Sequence, residues 1–220
     1  MLANKRQLAA FHDFFDQHGT TLTYRKNEFV IRPGETPSGV FFIVDGLVKA
    51  YDISRYGEEN LLLIRRPTEI FPLIWATGGD DRSIIYQALT DLTVLQVPRD
   101  KFISFIQDNS DALAPLLDIT LEMYRIHSER ILNLEYRSVR ERLVSFLLTM
   151  DQRFGQPQPD GSSRIEVPLR HQDIASSINA TRETTSRELS ALDRKGLLKN
   201  HQTYITLIDL PALRKITASS

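Results

Sequence analysis

The chain contains no cysteine. That absence removes disulfides, thiolate zinc sites, cysteine-ligated iron–sulfur clusters and thiol nucleophiles together. No apolar run approaches the roughly 18–20 residues needed to cross a bilayer, so no membrane partner is expected. The opening stretch MLANKRQLAAFHDFFDQHG mixes charge with apolar positions and lacks the continuous apolar segment of a signal peptide, which makes the cytoplasm the expected location. Charge of one sign is also missing. The net charge is −1, so any face that binds nucleic acid must be local. The five histidines, His12, His18, His127, His171 and His201, form no metal-spaced pair. His-Glu-x-x-His, a Walker-type phosphate loop and a nucleophile elbow are absent as well. Asp80 and Asp81 are adjacent carboxylates, but neighbours on an extended segment point apart. The chain is therefore expected to hold no metal and to be no enzyme.

What is present is ordinary globular composition, 41% hydrophobic and 25% charged over 220 residues, enough for one or two domains. Residues 1–20 suggest a short helix with Leu8, Phe11, Phe14 and Phe15 at helical spacing. From about Thr23 to Pro98 short β-type runs are split by turn residues. Pro33-Gly34 and Tyr56-Gly57 read as turns, and Asp45-Gly46 between GVFFIV and LVKAYDIS reads as a hairpin. Many short strands without intervening helices argue for a roll, barrel or sandwich.

After Pro98 the pattern turns helical. RDKFISFIQDN predicts a short helix, and about Asp111 to Leu134 a long one, with Pro115 in its first turns where a missing N–H costs little. The long helix carries two apolar stripes. Leu113, Leu117, Thr120, Tyr124, His127, Ile131 and Leu134 alternate spacings of four and three, which is a heptad seam. Leu116, Ile119, Met123 and Ile126 form the other. One solution packs the second stripe on the chain's own β-domain and pairs the seam with another copy. The other is a core helix within a monomer, which the preceding β-domain is too small to wrap over roughly 30 Å. A hinge follows near Glu135–Ser138, then further helix, and GQPQPDGSS reads as a loop.

The C-terminal stretch LRHQDIASSINATRETTSRELSALDRKGLL is the most informative. Ile174 and Ile178 mark a short helix, Asn179-Ala180 a tight turn and Thr181 an N-cap. The next helix buries Leu189 and Leu192 and stops at Gly196. Two helices so joined are a helix-turn-helix, and LLKNHQTYITLI adds a two-stranded wing around His201-Gln202. Arg182, Glu183, Ser186 and Arg187 occupy the first turns of the second helix, the part that meets base edges. Arginine donates twice to guanine and glutamate accepts from cytosine. Arg170, Thr181 and Thr184 suit phosphates, which position without specifying.

With those residues in view, the chain resembles transcription regulators of the cyclic-AMP receptor protein / fumarate–nitrate regulator family. RPGE, GVFFIVDGLVKAY, VPRDKF, the long helix and TRETTSREL follow the family's order over nearly the whole chain. The resemblance implies an α+β fold: a cyclic-nucleotide-binding-like β-roll over 1–110, a dimerisation helix and hinge over 111–137, and a winged helix-turn-helix over 138–220. It implies a homodimer that binds double-stranded DNA at a palindromic TGTGA-like site, with Arg182 and Arg187 facing guanines and Glu183 a cytosine, and RNA polymerase as a further partner.

The family's effector pocket is built on a Gly-Glu-Leu stretch and an Arg-Ser pair. Arg82-Ser83 match the pair, whereas Phe71-Pro72 replace Gly-Glu ahead of Leu73. Proline offers neither a ribose acceptor nor an N–H, and Asp80 and Asp81 stand beside Arg82. The resemblance also places Tyr124, His127 and Ser128 where family members touch ligand from the long helix. No cofactor follows: haem on His127 would lack an evident axial partner. The expected effector is a small molecule other than cyclic AMP, or none. A cyclic-AMP-dependent regulator and a nucleotide-binding-like module acting on a protein partner stay open.

Overall fold

The structure, a computed structural model, describes residues 5–78, 84–201 and 204–218. Its contacts divide the chain into two units. The first runs to Tyr56 and resumes from Leu62 to Tyr124; the second takes in Gly57–Leu61 and the chain from Arg125 onward.

The first unit opens with α1 (Lys5–His18) and continues through β1 (Thr20–Tyr24), β2 (Phe29–Ile31), β3 (Val40–Asp45), β4 (Val48–Ile53), β5 (Glu59–Arg65, of which Leu62 onward belongs to this unit), β6 (Ile70–Phe71), α2 (Leu73–Gly78), β7 (Ile85–Ala88), β8 (Leu92–Val97) and α3 (Arg99–Asp108). The strands form two four-stranded sheets, ordered β1-β8-β3-β6 and β2-β7-β4-β5. The Asp45-Gly46 turn is therefore not a hairpin: β3 and β4 lie in different sheets. Both strands carry unbroken runs of buried residues, so each needs cover on both faces. Gly46 sits at φ 88°, and a Cβ there would run into the Asp91 carbonyl of the neighbouring crossing. The glycine makes a corner between sheets. Tyr56-Gly57, by contrast, does join strands paired in one sheet.

Aromatic packing ties α1 to this roll. Phe11, Phe14, Phe15, Phe42 and Phe102 share one buried cluster. Phe14 stacks on Phe105 at 3.9 Å and Phe15 on Phe42 at 5.1 Å. Each buried phenyl contributes roughly 1.5–3 kcal/mol from area alone, which is why the spacing at 11, 14 and 15 forms a helix here. The short helix α2, over LIWATG, has no signal in the sequence; Ala76 is its buried contact.

A 3₁₀ turn (Ser110–Ala112) leads into the long helix α4 (Leu113–Tyr136). Leu116, on its second stripe, packs against the aromatic cluster. The hinge falls at Arg137–Ser138. Ser138 then caps α5 (Val139–Phe154) reciprocally: its backbone N–H donates to Glu141 Oε2 at 2.8 Å, and Glu141 N–H donates back to its hydroxyl at 3.4 Å.

The rest of the second unit is β9 (Gly155–Pro157), β10 (Ser163–Ile165), α6 (His171–Ser177), α7 (Arg182–Arg194), β11 (Leu198–His201), β12 (Tyr204–Leu207) and α8 (Leu210–Ala218). Its sheet is ordered β11-β12-β10-β9. The stretch expected to be a loop is thus a hairpin, with Gln156 opposite Arg164. Its glycine and prolines mask the pattern, and only pairing with β12 turns it into sheet. Among the described residues no helix is long and apolar enough to cross a membrane.

Candidate nucleic-acid interface and effector pocket

The second unit builds the helix-turn-helix. Ile174 and Ile178 are buried beneath α6, and Asn179 takes the left-handed conformation, φ 50°, that lets the chain reverse. Arg142 on α5 holds the turn by donating to the Asn179 carbonyl at 3.2 Å. Thr181 caps α7, its hydroxyl accepting from Thr184 N–H at 3.1 Å. At the other end Leu197 N–H returns to the Leu192 carbonyl at 3.1 Å around Gly196, φ 70°, which is a Schellman closure. α7 buries Thr185, Leu189 and Leu192. Arg140 on α5 also pins it, at 2.7 Å from Glu188.

At 100° per residue, Arg182, Glu183, Ser186 and Arg187 occupy an arc of about 140° that begins beside Leu189 and runs away from the buried side. Arg182, Glu183 and Arg187 are exposed and Ser186 is half-buried. Thr181 is exposed and Thr184 half-buried, and their hydroxyls bond each other at 3.0 Å. Arg170 is less free than the sequence suggests. Asp173 chelates its guanidinium at 2.9 and 2.8 Å, Glu59 lies 3.3 Å away, and these partners, Asp173 foremost, push its pKa up. The sequence reading missed His171. Its ring bridges Ser186 on α7 and Asn200 on β11, and no spacing rule links three positions so far apart.

Among the described residues of the first unit, Phe71, Pro72 and Leu73 have different surroundings. Phe71 is fully buried and stacks between Phe41, at 5.2 Å, and Tyr86, at 4.8 Å. Leu73 packs against the aromatic cluster around α1 instead. Pro72 lines a cleft with Ile31, Arg32, Trp75 and Tyr86, whose volume of about 20 Å³ suits one water. Arg82 and Ser83, with Asp80 and Asp81, lie outside the described residues. Tyr124 is exposed on α4, and His127 and Ser128 are half-buried there.

Charge does enter the roll. Glu69 is buried, 3.6 Å from Arg65 and 3.2 Å from Arg66, and Arg66 reaches Glu122 at 3.4 Å. Burial raises the pKa of Tyr86, with the nearby Arg65 partly opposing that shift.

The seam of α4 is uncovered in the single chain. Leu113, Leu117, Tyr124, Ile131 and Leu134 are 54%, 47%, 71%, 62% and 36% exposed. Thr120 is exposed too, its hydroxyl turned back to the Leu116 carbonyl at 2.8 Å, and His127 is half-buried. Leu121, not part of the expected seam, is 48% exposed and extends the same apolar surface by the Leu117–Leu121–Tyr124 spacing.

Comparison with known proteins covers both units. Residues 21–109 match the family described as cyclic nucleotide-binding domain, and residues 141–216 the Crp-like helix-turn-helix domain. The chain is 30% identical to the global nitrogen regulator of Nostoc sp. over 84% of its own length and 83% of that protein's. It is 27% identical to the cAMP-activated global transcriptional regulator CRP of Salmonella typhimurium, over 94% and 98%. The solved structure of FixK2 from Bradyrhizobium japonicum superposes with a TM-score of 0.79 at 25% identity, covering 92% of this chain and 98% of that one.

Proposed function

We propose that this chain, which belongs to the CRP/FNR family of DNA-binding transcription regulators, works as a homodimer that reads a palindromic TGTGA-like site. The observation that carries this reading is the exposed Arg182, Glu183 and Arg187 on the capped N-terminal turns of α7, presented by a helix-turn-helix whose turn, cap and stop are all formed. Arg182 and Arg187 donate to the O6 and N7 edges of guanines, and Glu183 accepts from a cytosine amine. Thr181 and Thr184, at the cap, serve the flanking phosphates, and Arg170 joins them by exchanging Glu59 for a phosphate oxygen. Two copies paired along α4 set two recognition helices one helical turn of DNA apart. A regulator so placed acts on RNA polymerase bound nearby.

Control by cyclic AMP is the weaker option for this chain. The position that would hold the ribose carries Pro72, and Phe71 is locked in a stack with Phe41 and Tyr86. The effector is a smaller molecule, taken up with Arg82, Ser83 and the Tyr124–Ser128 stretch of α4, or there is none. An effector acts by favouring the placement of the recognition helices that fits successive major grooves. The name of the Salmonella relative keeps a cyclic-AMP-dependent reading in the test.

The test is binding of the full chain to a palindromic TGTGA duplex against a scrambled one, over a salt series. Cyclic AMP, cyclic GMP, cyclic di-GMP and 2-oxoglutarate are each added separately. Preference for the palindrome without cyclic AMP supports the reading. No binding to either duplex under any condition overturns it. A requirement for micromolar cyclic AMP replaces the effector reading with the cyclic-AMP one.

A further inference from the structure

His171 opens α6, yet its side chain turns inward rather than toward solvent. Nδ1 lies 2.8 Å from Ser186 Oγ on α7. Nε2 lies 3.0 Å from Asn200 Nδ2 on β11. One half-buried ring thus touches the first helix, the recognition helix and the wing. Asn200 is itself fixed, its backbone N–H donating to Asp193 Oδ2 at 3.1 Å.

The two contacts fix the direction of each hydrogen bond. An amide nitrogen only donates, so Nε2 of His171 accepts from Asn200. A neutral imidazole that accepts at one nitrogen carries its proton on the other, so Nδ1–H donates to Ser186 Oγ. The Ser186 hydroxyl is then barred from spending its own proton on the ring. Its O–H remains available to the outward side of α7, between Arg182 and Arg187. With the opposite tautomer the hydroxyl would donate inward and present only lone pairs.

We propose that His171 is a specificity-positioning residue: through Asn200 and its own tautomer it sets Ser186 as a hydrogen-bond donor toward DNA. The partner it selects is an acceptor on a base edge, such as guanine O6 or N7, adenine N7 or thymine O4, in preference to the amine of cytosine. The inference rests on α7 being the recognition helix, and adds a base contact of fixed polarity to the charged triple.

Two near-isosteric substitutions separate the two contacts. In His171→Asn the side-chain amide reaches the place of Nδ1 and keeps a donor for Ser186. In His171→Gln the amide reaches the place of Nε2 and keeps Asn200, but leaves Ser186 unpartnered. The experiment selects binding sites from a randomised duplex library with the full-length wild type, Ser186→Ala, His171→Asn and His171→Gln, and scores base preference at each position. The wild type is expected to favour an acceptor-bearing base at one position of each half-site. Ser186→Ala and His171→Gln lower that discrimination by roughly three- to tenfold, the worth of one net hydrogen bond, at that position alone. His171→Asn keeps it. Unchanged preference in His171→Gln, equal loss at every position in all variants, or a wild-type preference for cytosine there would overturn the proposal. Failure of the wild type to enrich any sequence would instead remove the DNA-binding reading on which it stands.

Discussion

Thr185 faces the interior of the helix-turn-helix and is fully buried, but its hydroxyl has no hydrogen-bond partner among the described residues. A buried unpaired hydroxyl costs free energy that a methyl of the same shape does not. Thr185→Val is therefore expected to stabilise the chain by about 1 kcal/mol, read as a higher urea midpoint at unchanged slope. A lower midpoint would mean that the hydroxyl is satisfied. Tyr86 gives a second check, through pH. Burial, partly opposed by Arg65, raises its pKa in the folded state above the ordinary 10.0. Between those two values the folded chain holds a proton that the unfolded chain has lost, so stability is full below pH 10 and falls as pH rises through the folded pKa. Tyr86→Phe removes that proton. Up to roughly pH 9 the gap between the variant and the wild type is constant, and above about pH 10 it shifts in the variant's favour. A constant gap to pH 12 would contradict the assignment. On the exposed side of α7, Arg182→Ala is expected to weaken a cognate duplex by about 1–3 kcal/mol and to relax base preference at one position. Equal weakening on every sequence would make Arg182 a phosphate contact.

Arg130 shows what joins elements within the second unit. From α4 it donates to the Leu61 carbonyl at 2.8 Å, to Asn60 Oδ1 at 2.9 Å and to the Ser176 carbonyl on α6 at 3.4 Å. Leu61 N–H in turn donates to the Ser176 hydroxyl at 3.2 Å. Burial lowers the arginine's pKa, and the carbonyls offset that cost by accepting. Arg130→Ala is expected to strand the Leu61 carbonyl and cost about 1–3 kcal/mol. Its readout is faster hydrogen exchange at the Leu61 amide; unchanged exchange would show that the turn holds without the arginine. No periodicity announces such a contact, because Arg130 and Leu61 lie far apart in the chain. That is the general limit of reading this sequence. The helix-turn-helix was legible because its signals are local: the Thr181 cap, the Asn179 turn, the Gly196 stop. The elements that failed are set by distant partners. Asp45-Gly46 looks like a hairpin until Asp91 is packed against it. Residues 155–157 look like loop until β10 pairs with them. Phe71 and Leu73 are neighbours in sequence, yet one stacks inside the roll and the other packs toward α1.

At the scale of the molecule, the uncovered face of α4 is the feature a single chain does not explain. Leu113, Leu117, Leu121, Tyr124 and Ile131 expose large apolar side chains along one helix. Isolated exposed apolar residues are common, but a row of them marks an interface. Its heptad spacing is what a second α4 would cover, with identical positions meeting across the two-fold axis. Under that pairing, Leu117→Glu with Tyr124→Glu sets like charges against each other in both layers. The doubly substituted chain is expected to sediment as a monomer at micromolar concentration, and the wild type as a dimer. Each monomer keeps its recognition helix, so weak, salt-sensitive binding to a single half-site survives. What is lost is the second half-site, whose engagement in a dimer is intramolecular and raises affinity by a factor of about 10²–10⁴. Tyr136→Glu is the control. It places the same charge on an equally exposed tyrosine of α4 that lies off the seam, and the dimer should persist. If the double variant stays dimeric and still prefers the palindrome, α4 is not the pairing surface and the apolar row must be covered by something else. If Tyr136→Glu dissociates the dimer as readily, charge rather than the seam is responsible. Loss of dimer and palindrome together in the double variant alone ties the recognition helices of two chains to one helix.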